Sequence, residues 1–354
     1  MRPAHALVTG GAGFIGSNLA DRLARDGHTV TVFDSLQRPG SERNLDWLLS
    51  RHPDRIRPVR ADVRDHKALE AAAAEVDVVF HFAAQVAVTT SLVEPLDDFA
   101  INVAATVHLL DALRRRAEPP PLIFASTNKV YGDLGNVALV QTNDSYLPDT
   151  LSLRRDGIGE DRPLDFHTPY GCSKGAADQY VLDYARSFGV PTAVLRMSCI
   201  YGQRQMGTED QGWVAHFAIR ALEGQPISIF GDGCQVRDVL DVSDAVAAYV
   251  GVWRNIDRLR GGAFNLGGGP ANAVSLRQLL RYLESLLQRP LRVDYSDWRA
   301  GDQKYYVSDT RALINVLDMA PFVSWTDGVA RLVRWLAAER GLPEPAMRVE
   351  EALS

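Results

Sequence analysis

The chain has 354 residues, 46% of them hydrophobic, enough for one large α/β domain with a smaller lobe and a sizeable core. Its net charge is −6, with acidic and basic residues mixed along the chain, which argues against the basic face of a nucleic-acid-binding protein. The three cysteines, Cys172, Cys199 and Cys234, are odd in number and far apart, so neither a disulfide framework nor a metal site is expected. That usage predicts a reducing, cytoplasmic setting. No signal peptide is read at the N-terminus, and no apolar run is long enough to span a membrane, so no membrane partner is expected.

In chain order, residues 4–9 read as a buried strand, followed by Gly10-Gly11-Ala12-Gly13-Phe14-Ile15-Gly16 and a helix to about residue 25. A second strand, 29–33, ends on Asp34. Strand, glycine turn, helix, strand and acid form a dinucleotide-binding unit. Gly10 permits the tight turn, Gly13 lets the backbone approach a pyrophosphate, and Gly16 allows close helix–strand packing. Phe14 and Ile15 open the helix, whose free N–H groups face the phosphates. Asp34 is placed to accept from two ribose hydroxyls and to repel a 2′-phosphate, which favours NAD over NADP. The alternative is a glycine turn in some other α/β protein.

The α/β alternation continues through a strand at 56–60, with Asp62 and Val63 expected beside the adenine at its carboxyl end. A helix is read over 65–74 and a fourth strand over 77–82. Ala83 and Ala84 leave that strand with small side chains, which suit either a close cofactor or helix–sheet packing. A long helix is read over 95–115, carrying Asn102, and Pro119-Pro120-Pro121 stops it. The fifth strand, 122–125, delivers Ser126-Thr127-Asn128-Lys129-Val130-Tyr131-Gly132. Residues 133–167 are polar without clear period, the mark of a lid or a disordered insertion. Further strands are read at 192–196, 227–230 and 263–266, and helices at 213–222, 243–253, 275–287 and 326–340. The tail beyond Pro343 reads as loose.

Between the insertion and the strand at 192 lies Thr168-Pro169-Tyr170-Gly171-Cys172-Ser173-Lys174, leading into a helix to about residue 188. Residues at i and i+4 share a helix face, so the Lys174 ammonium is expected near the Tyr170 phenol. A free tyrosine titrates at about 10, and a fixed cation lowers that value, which is one way to build a general base. The alternative is a solvated helix face. Cys172 reads as a small packed residue, since no base is assigned to it.

The glycine turn, the Ser126-Thr127 pair and Tyr170-x-x-x-Lys174 together resemble the extended short-chain dehydrogenase/reductase family over nearly the whole chain. That resemblance implies a Rossmann-type, doubly wound parallel sheet with a smaller C-terminal sugar-nucleotide-binding lobe. The expected division is an NAD-binding domain over 1–197, rejoined by 238–270, a lobe of 198–237 and 271–345, and a tail of 346–354. The resemblance implies that Thr127 hydrogen-bonds the reacting sugar hydroxyl, Tyr170 takes its proton, and Lys174 holds the nicotinamide ribose and tunes Tyr170. Gly10, Gly13, Phe14, Ile15, Gly16, Asp34, Asp62, Val63, Ala83, Ala84 and Asn102, with Tyr170 and Lys174, make up the cofactor set. Gln85, Asn128, Arg204, Gln235, Arg237, Arg299 and Asp302 make up the substrate set. Arg237 and Arg299 are placed by resemblance to grip a pyrophosphate, which a guanidinium fork suits. The bland reading of both is a surface salt bridge, to Asp238 and to Asp302.

Many dehydratases of the family carry Asp-Glu directly after this threonine. Here Asn128 and Lys129 stand there, an amide that takes no proton and a cation that makes a poor base, which argues against 4,6-dehydration. Residues 126–133, 165–180 and 196–213 are similar to the CDP-tyvelose (CDP-paratose) 2-epimerase subgroup. Cys199 departs from the wider family, where an asparagine often contacts the diphosphate. The implied activity is NAD-dependent epimerisation of a nucleotide-diphosphate sugar, with a CDP-hexose favoured, through a transient ketosugar. An epimerase or dehydratase of a UDP- or GDP-sugar, and a non-catalytic NAD sensor, are the alternatives. A homodimer through the helices near 95–115 and 171–188 is expected from the family.

Overall fold

The computed structural model describes residues 2–299 and 302–343; the tail expected at 346–354 lies outside them. Seven strands form one sheet: β1 (His5–Thr9), β2 (Thr29–Asp34), β3 (Ile56–Arg60), β4 (Val78–His81), β5 (Leu122–Thr127), β6 (Thr192–Met197) and β7 (Gly262–Leu266). All pairs are parallel, in the order β7-β6-β5-β4-β1-β2-β3. The winding reverses between β1 and β4, and a crevice opens at the carboxyl ends of the strands there. Val8 sits between Val32 and Phe80 in register, and Thr127 lies opposite Met197.

Both faces of the sheet are covered, which is why β4 and β5 are buried along their whole length and read as unbroken apolar runs. On one face, α1 (Phe14–Arg25) packs with the Val242–Arg254 helix through Leu19, Leu23, Val246 and Trp253. On the other, Leu109, Leu113, Val181 and Tyr184 meet Leu7, Phe124 and Val194 from the sheet. Truncating any one of these buried leucines to alanine is worth about 2–5 kcal/mol.

The smaller lobe has its own core. Phe217, Ile229, Leu279, Leu283, Val333 and Leu336 come together from the helices Trp213–Glu223, Leu276–Leu287 and Trp325–Glu339 and the strand Ile227–Phe230. The Leu276–Leu287 helix starts on a capping box: Ser275 Oγ accepts from the Gln278 N–H at 3.1 Å, and Gln278 Oε1 accepts from the Ser275 N–H at 2.8 Å. Val236–Asp241 pairs in parallel with Cys199–Tyr201 and Tyr305–Tyr306, and antiparallel with Ala273–Ser275. Not all of 271–345 stays in the lobe. The Arg311–Leu317 helix carries Leu313 into the core of the large sheet, because its apolar side meets the Val242–Arg254 helix.

Three local readings differ from the sequence. Residues 133–167 hold a hairpin, Leu139–Gln141 with Tyr146–Pro148, and a helix Leu151–Asp156. They are pinned: the Tyr146 hydroxyl donates to Asp232 at 2.5 Å, Arg281 pairs with Asp144, and the Ile158 N–H donates to the Val307 carbonyl at 2.7 Å. Strands of three residues are too short to register as a period. The helix α2 (Ser41–Arg51) forms in a stretch left unread. The helix expected over 95–115 is interrupted by a π-helical turn, Ala100–Ala104.

Candidate active site

The glycine turn closes against the crevice so tightly that only hydrogen fits. A Cβ on Gly10 would lie 2.8 Å from the Ala83 nitrogen, and one on Gly16 would lie 2.2 Å from the Gly10 carbonyl oxygen. Gly10 also holds φ +66°, which an L side chain rarely adopts. Gly13 caps α1 without a side chain, leaving the first N–H groups open to an anion. The turn lines a cavity of about 480 Å³ that also takes in Phe14, Ile15, Asp34, Asp62, Val63, Ala83, Ala84, Tyr170 and Lys174. Asp34 accepts from the Ala12 N–H at 3.0 Å and from the Leu36 N–H at 2.9 Å. Burial raises its pKa, while those bonds and the Arg38 charge work against the shift. A carboxylate has about four acceptor sites, so these bonds leave capacity for a ribose hydroxyl.

The cavity wall tests whether a dinucleotide fits. Asn44 Oδ1 and Gln205 Oε1 are buried on it without a hydrogen-bond partner, two acceptors waiting for a donor. Asn44 Nδ2 donates to the Ala12 carbonyl at 3.1 Å, which fixes the orientation of that oxygen. With the cradle, the open N–H groups and the acid, these residues fit an NAD-sized ligand. Asn44 comes from α2, which the sequence did not reveal; Gln205 lies in the 196–213 stretch but was given no role there.

At the inner end, Tyr170 is buried, and the Thr127 hydroxyl acts to favour its phenolate. Burial pushes its phenol up to about 12, against the pull of Thr127 and the Arg38 charge. Lys174 is buried as well, and burial depresses it to about 7. Its Nζ donates to the Ala125 carbonyl at 2.6 Å and lies 4.2 Å from the centre of the Phe124 ring. Lys174 is thus tied to the end of β5, and it lines the same cavity as Tyr170. Thr168, opening the helix Thr168–Phe188, holds φ +63°, a strained conformation for a β-branched residue, two positions before the tyrosine.

Beneath that helix runs a buried ion pair. Arg196 Nε donates to Asp178 Oδ2 at 3.0 Å and an Arg196 terminal nitrogen donates to Oδ1 at 3.0 Å. The Ser126 hydroxyl donates to the same carboxylate at 2.7 Å, so the residue before Thr127 is fixed to the helix that carries Tyr170.

Several expected contacts fall elsewhere. Asn102 is corrected from a cofactor ligand to a support: it is 1% exposed and off the cavity wall. The π-helical turn aims its amide at Gln85, accepting from the Gln85 N–H at 2.9 Å and donating to the Gln85 carbonyl at 3.1 Å and to Ser173 at 3.0 Å. Gln85 and Arg204, expected at the substrate, lie on the cofactor cavity. Arg204 stacks 4.2 Å from the Trp47 ring centre and 5.5 Å from that of Trp335, so the lobe reaches over the cavity to α2.

Arg237 pairs with Asp302 at 2.8 Å rather than with Asp238, and Arg299 lies 3.5 Å from Asp210 and 3.7 Å from the Phe230 ring centre rather than with Asp302. Gln235 Nε2 donates to the Phe230 carbonyl at 2.8 Å, and its buried Oε1 has no partner. Asn128 donates to Gln303 Oε1 at 3.2 Å; Gln303, fully buried, was not read from the sequence. Among the described residues, Asp133, Asp165 and His167 form one exposed cluster able to ligate a metal, where none was expected.

Such a sheet, with a phenol and a buried lysine set over a dinucleotide cradle, defines an enzyme of the short-chain dehydrogenase/reductase type. The model of the NAD dependent epimerase/dehydratase family matches residues 6–267, and the chain belongs to that family. Its cofactor is NAD. Over 339 residues it is 42% identical to the CDP-paratose 2-epimerase of Salmonella typhi, spanning 94% of this chain and 99% of that one. It is similar to the UDP-glucose 4-epimerase of Thermotoga maritima solved with UDP-glucose, with TM-score 0.81, 28% identity and 95% and 99% coverage. The UDP-glucose 4-epimerase of Thermus thermophilus in complex with NAD aligns with TM-score 0.78, 29% identity and 94% and 98% coverage. Among the described residues no helix is long and apolar enough to cross a membrane.

Proposed function

We propose that this enzyme inverts C2 of a CDP-hexose in the cytoplasm. The observation that carries the reading is the placement of Tyr170 and Lys174 together on the wall of the glycine-cradled cavity. When bound there, NAD supplies the hydride acceptor that takes hydrogen from the sugar carbon and returns it to the opposite face of the flat ketone. Gly13, Phe14 and Ile15 bind its diphosphate, Asp34 its adenosine ribose, Asp62 and Val63 its adenine, and Lys174 its nicotinamide ribose. Thr127 orients the sugar hydroxyl, and Tyr170 takes the proton from its oxygen and gives it back. Arg237 and Arg299 hold the substrate diphosphate while the sugar turns, so binding energy is concentrated away from the reacting carbon. The unpartnered Gln235 Oε1 suits a donor on the nucleotide base, as cytosine's amino group provides.

Loss of water is disfavoured by the same residues. The Asn128 amide takes no proton and is bonded to Gln303. Lys129, at about 8, is largely protonated at neutral pH. A homodimer is supported by the exposed apolar side chains of Leu92, Val93, Leu96, Phe99, Tyr180 and Phe188, on helices that pack together.

The purified protein, given CDP-, UDP- and GDP-hexoses without added NAD, is expected to invert C2 of the CDP sugar, as proton NMR of the products reads directly. Tyr170→Phe should lower turnover by roughly 10²–10⁴-fold with its circular dichroism unchanged. Inversion at C4, loss of water, or stoichiometric use of NAD would each assign a different reaction.

A further inference from the structure

Residues 203–206 follow the Cys199–Tyr201 strand, and Arg204, Gln205 and Met206 line the cofactor cavity together with the glycine turn. Two side-chain amides hold the backbone of this segment. Asn18, on α1, donates to the Gln203 carbonyl at 3.0 Å. Asn44, on α2, donates to the Arg204 carbonyl at 3.3 Å, and the same nitrogen donates to the Ala12 carbonyl of the glycine turn. The Met206 side chain lies against Gly40, at the start of α2, where a Cβ would collide with it. The Arg204 guanidinium is held from both parts of the molecule, over Trp47 of α2 and beside Trp335 of the Trp325–Glu339 helix. Arg204 holds φ +70°, which residues other than glycine rarely adopt, so its side-chain contacts maintain a backbone that the residue itself disfavours.

Gln205 supplies a contact to a ligand. It is 8% exposed, and its Nε2 donates to the Ile200 carbonyl at 3.3 Å, which leaves Oε1 as the end without a partner. A diphosphate oxygen carries no hydrogen at neutral pH, so this acceptor suits a ribose hydroxyl or an amide N–H of a dinucleotide and not its diphosphate.

We propose that residues 203–206 are a clasp that keeps the dinucleotide in the cavity from one turnover to the next, with Gln205 as its contact to the cofactor and Arg204 as its anchor. This rests on the epimerase reading given above. An epimerase restores its NAD at the end of each cycle, so nothing is gained when the cofactor leaves, and NADH lost midway would strand the ketosugar. Release then requires Arg204 to part from Trp47, and weakening that contact speeds the exit.

The test is the rate at which the full chain, loaded with NADH, gives it up to a large excess of NAD, followed by the fall in fluorescence of bound NADH. Arg204→Ala should release NADH roughly tenfold faster than the wild type, and Trp47→Leu by a similar factor. The two side chains act as one contact, so the double variant should release no faster than the faster single variant; independent damage would multiply the two factors. Gln205→Met should release NADH roughly fivefold faster. Trp47→Leu carries the comparison if Arg204→Ala fails to fold. Release at the wild-type rate in Arg204→Ala and Trp47→Leu, or multiplied factors in the double variant, overturns the clasp and leaves the epimerase reading standing. Release at the wild-type rate from Gln205→Met removes Gln205 as the contact. A wild type that takes up no NADH overturns both the clasp and the reading it rests on.

Discussion

A lysine held near neutrality inside a folded protein leaves a signature in stability as well as in chemistry. Lys174 is depressed to about 7 by burial, against 10.5 for an ordinary lysine, with Asp178 and Asp98 opposing the shift. Between those two values the unfolded chain binds more protons than the folded one, so stability should rise with pH across that window. Urea unfolding of protein stripped of NAD, followed from pH about 7 to about 9, should show the rise, and Lys174→Met should flatten it. An identical slope in the variant would contradict the buried, depressed amine. At this scale the sequence was informative wherever chemistry is local. Gly10, Gly16, Asp34, Tyr170 and Lys174 lie within short motifs and do line one cavity. Asn102 could not be placed the same way, because a π-helical turn decides where its amide points.

At the scale of elements, the Thr168–Phe188 helix is locked to β5 and β6 by the Asp178–Arg196 pair, both partners almost fully buried. Removing one charge of such a pair leaves the other uncompensated, at a cost of about 3–5 kcal/mol. Asp178→Asn should therefore lower the midpoint of denaturant unfolding by that equivalent. Turnover should fall as well, because Ser126 loses the carboxylate that aligns Thr127 with Tyr170. A variant of wild-type stability would show that packing alone seats the helix. The central strands of the large sheet, such as β1, β4 and β5, were legible because each is a short apolar run bounded by turn residues. The 133–167 segment was not, since its order comes from partners such as Asp232, Arg281 and Val307, far along the chain. Asn44, Gln205 and Gln303 were given no role for the same reason: a return of the chain places them.

For the whole molecule, Leu96 and Val93 are 82% and 74% exposed, beside Phe99 and the Thr168–Phe188 helix. The same face of a second copy would cover it. Sedimentation should report a dimer for the wild type and a monomer for Leu96→Asp; a monomeric wild type would contradict the proposed assembly. The reaction itself is tested most directly by running it in deuterium oxide. The protein is incubated with a CDP-hexose and no added cofactor, and C2 of the recovered sugar is read by proton NMR. Hydride removed and returned within one closed site does not exchange with solvent. The account predicts inverted product with its C2 hydrogen still protium. Deuterium at C2 of the product would mean that the hydrogen left as a proton, and would contradict it.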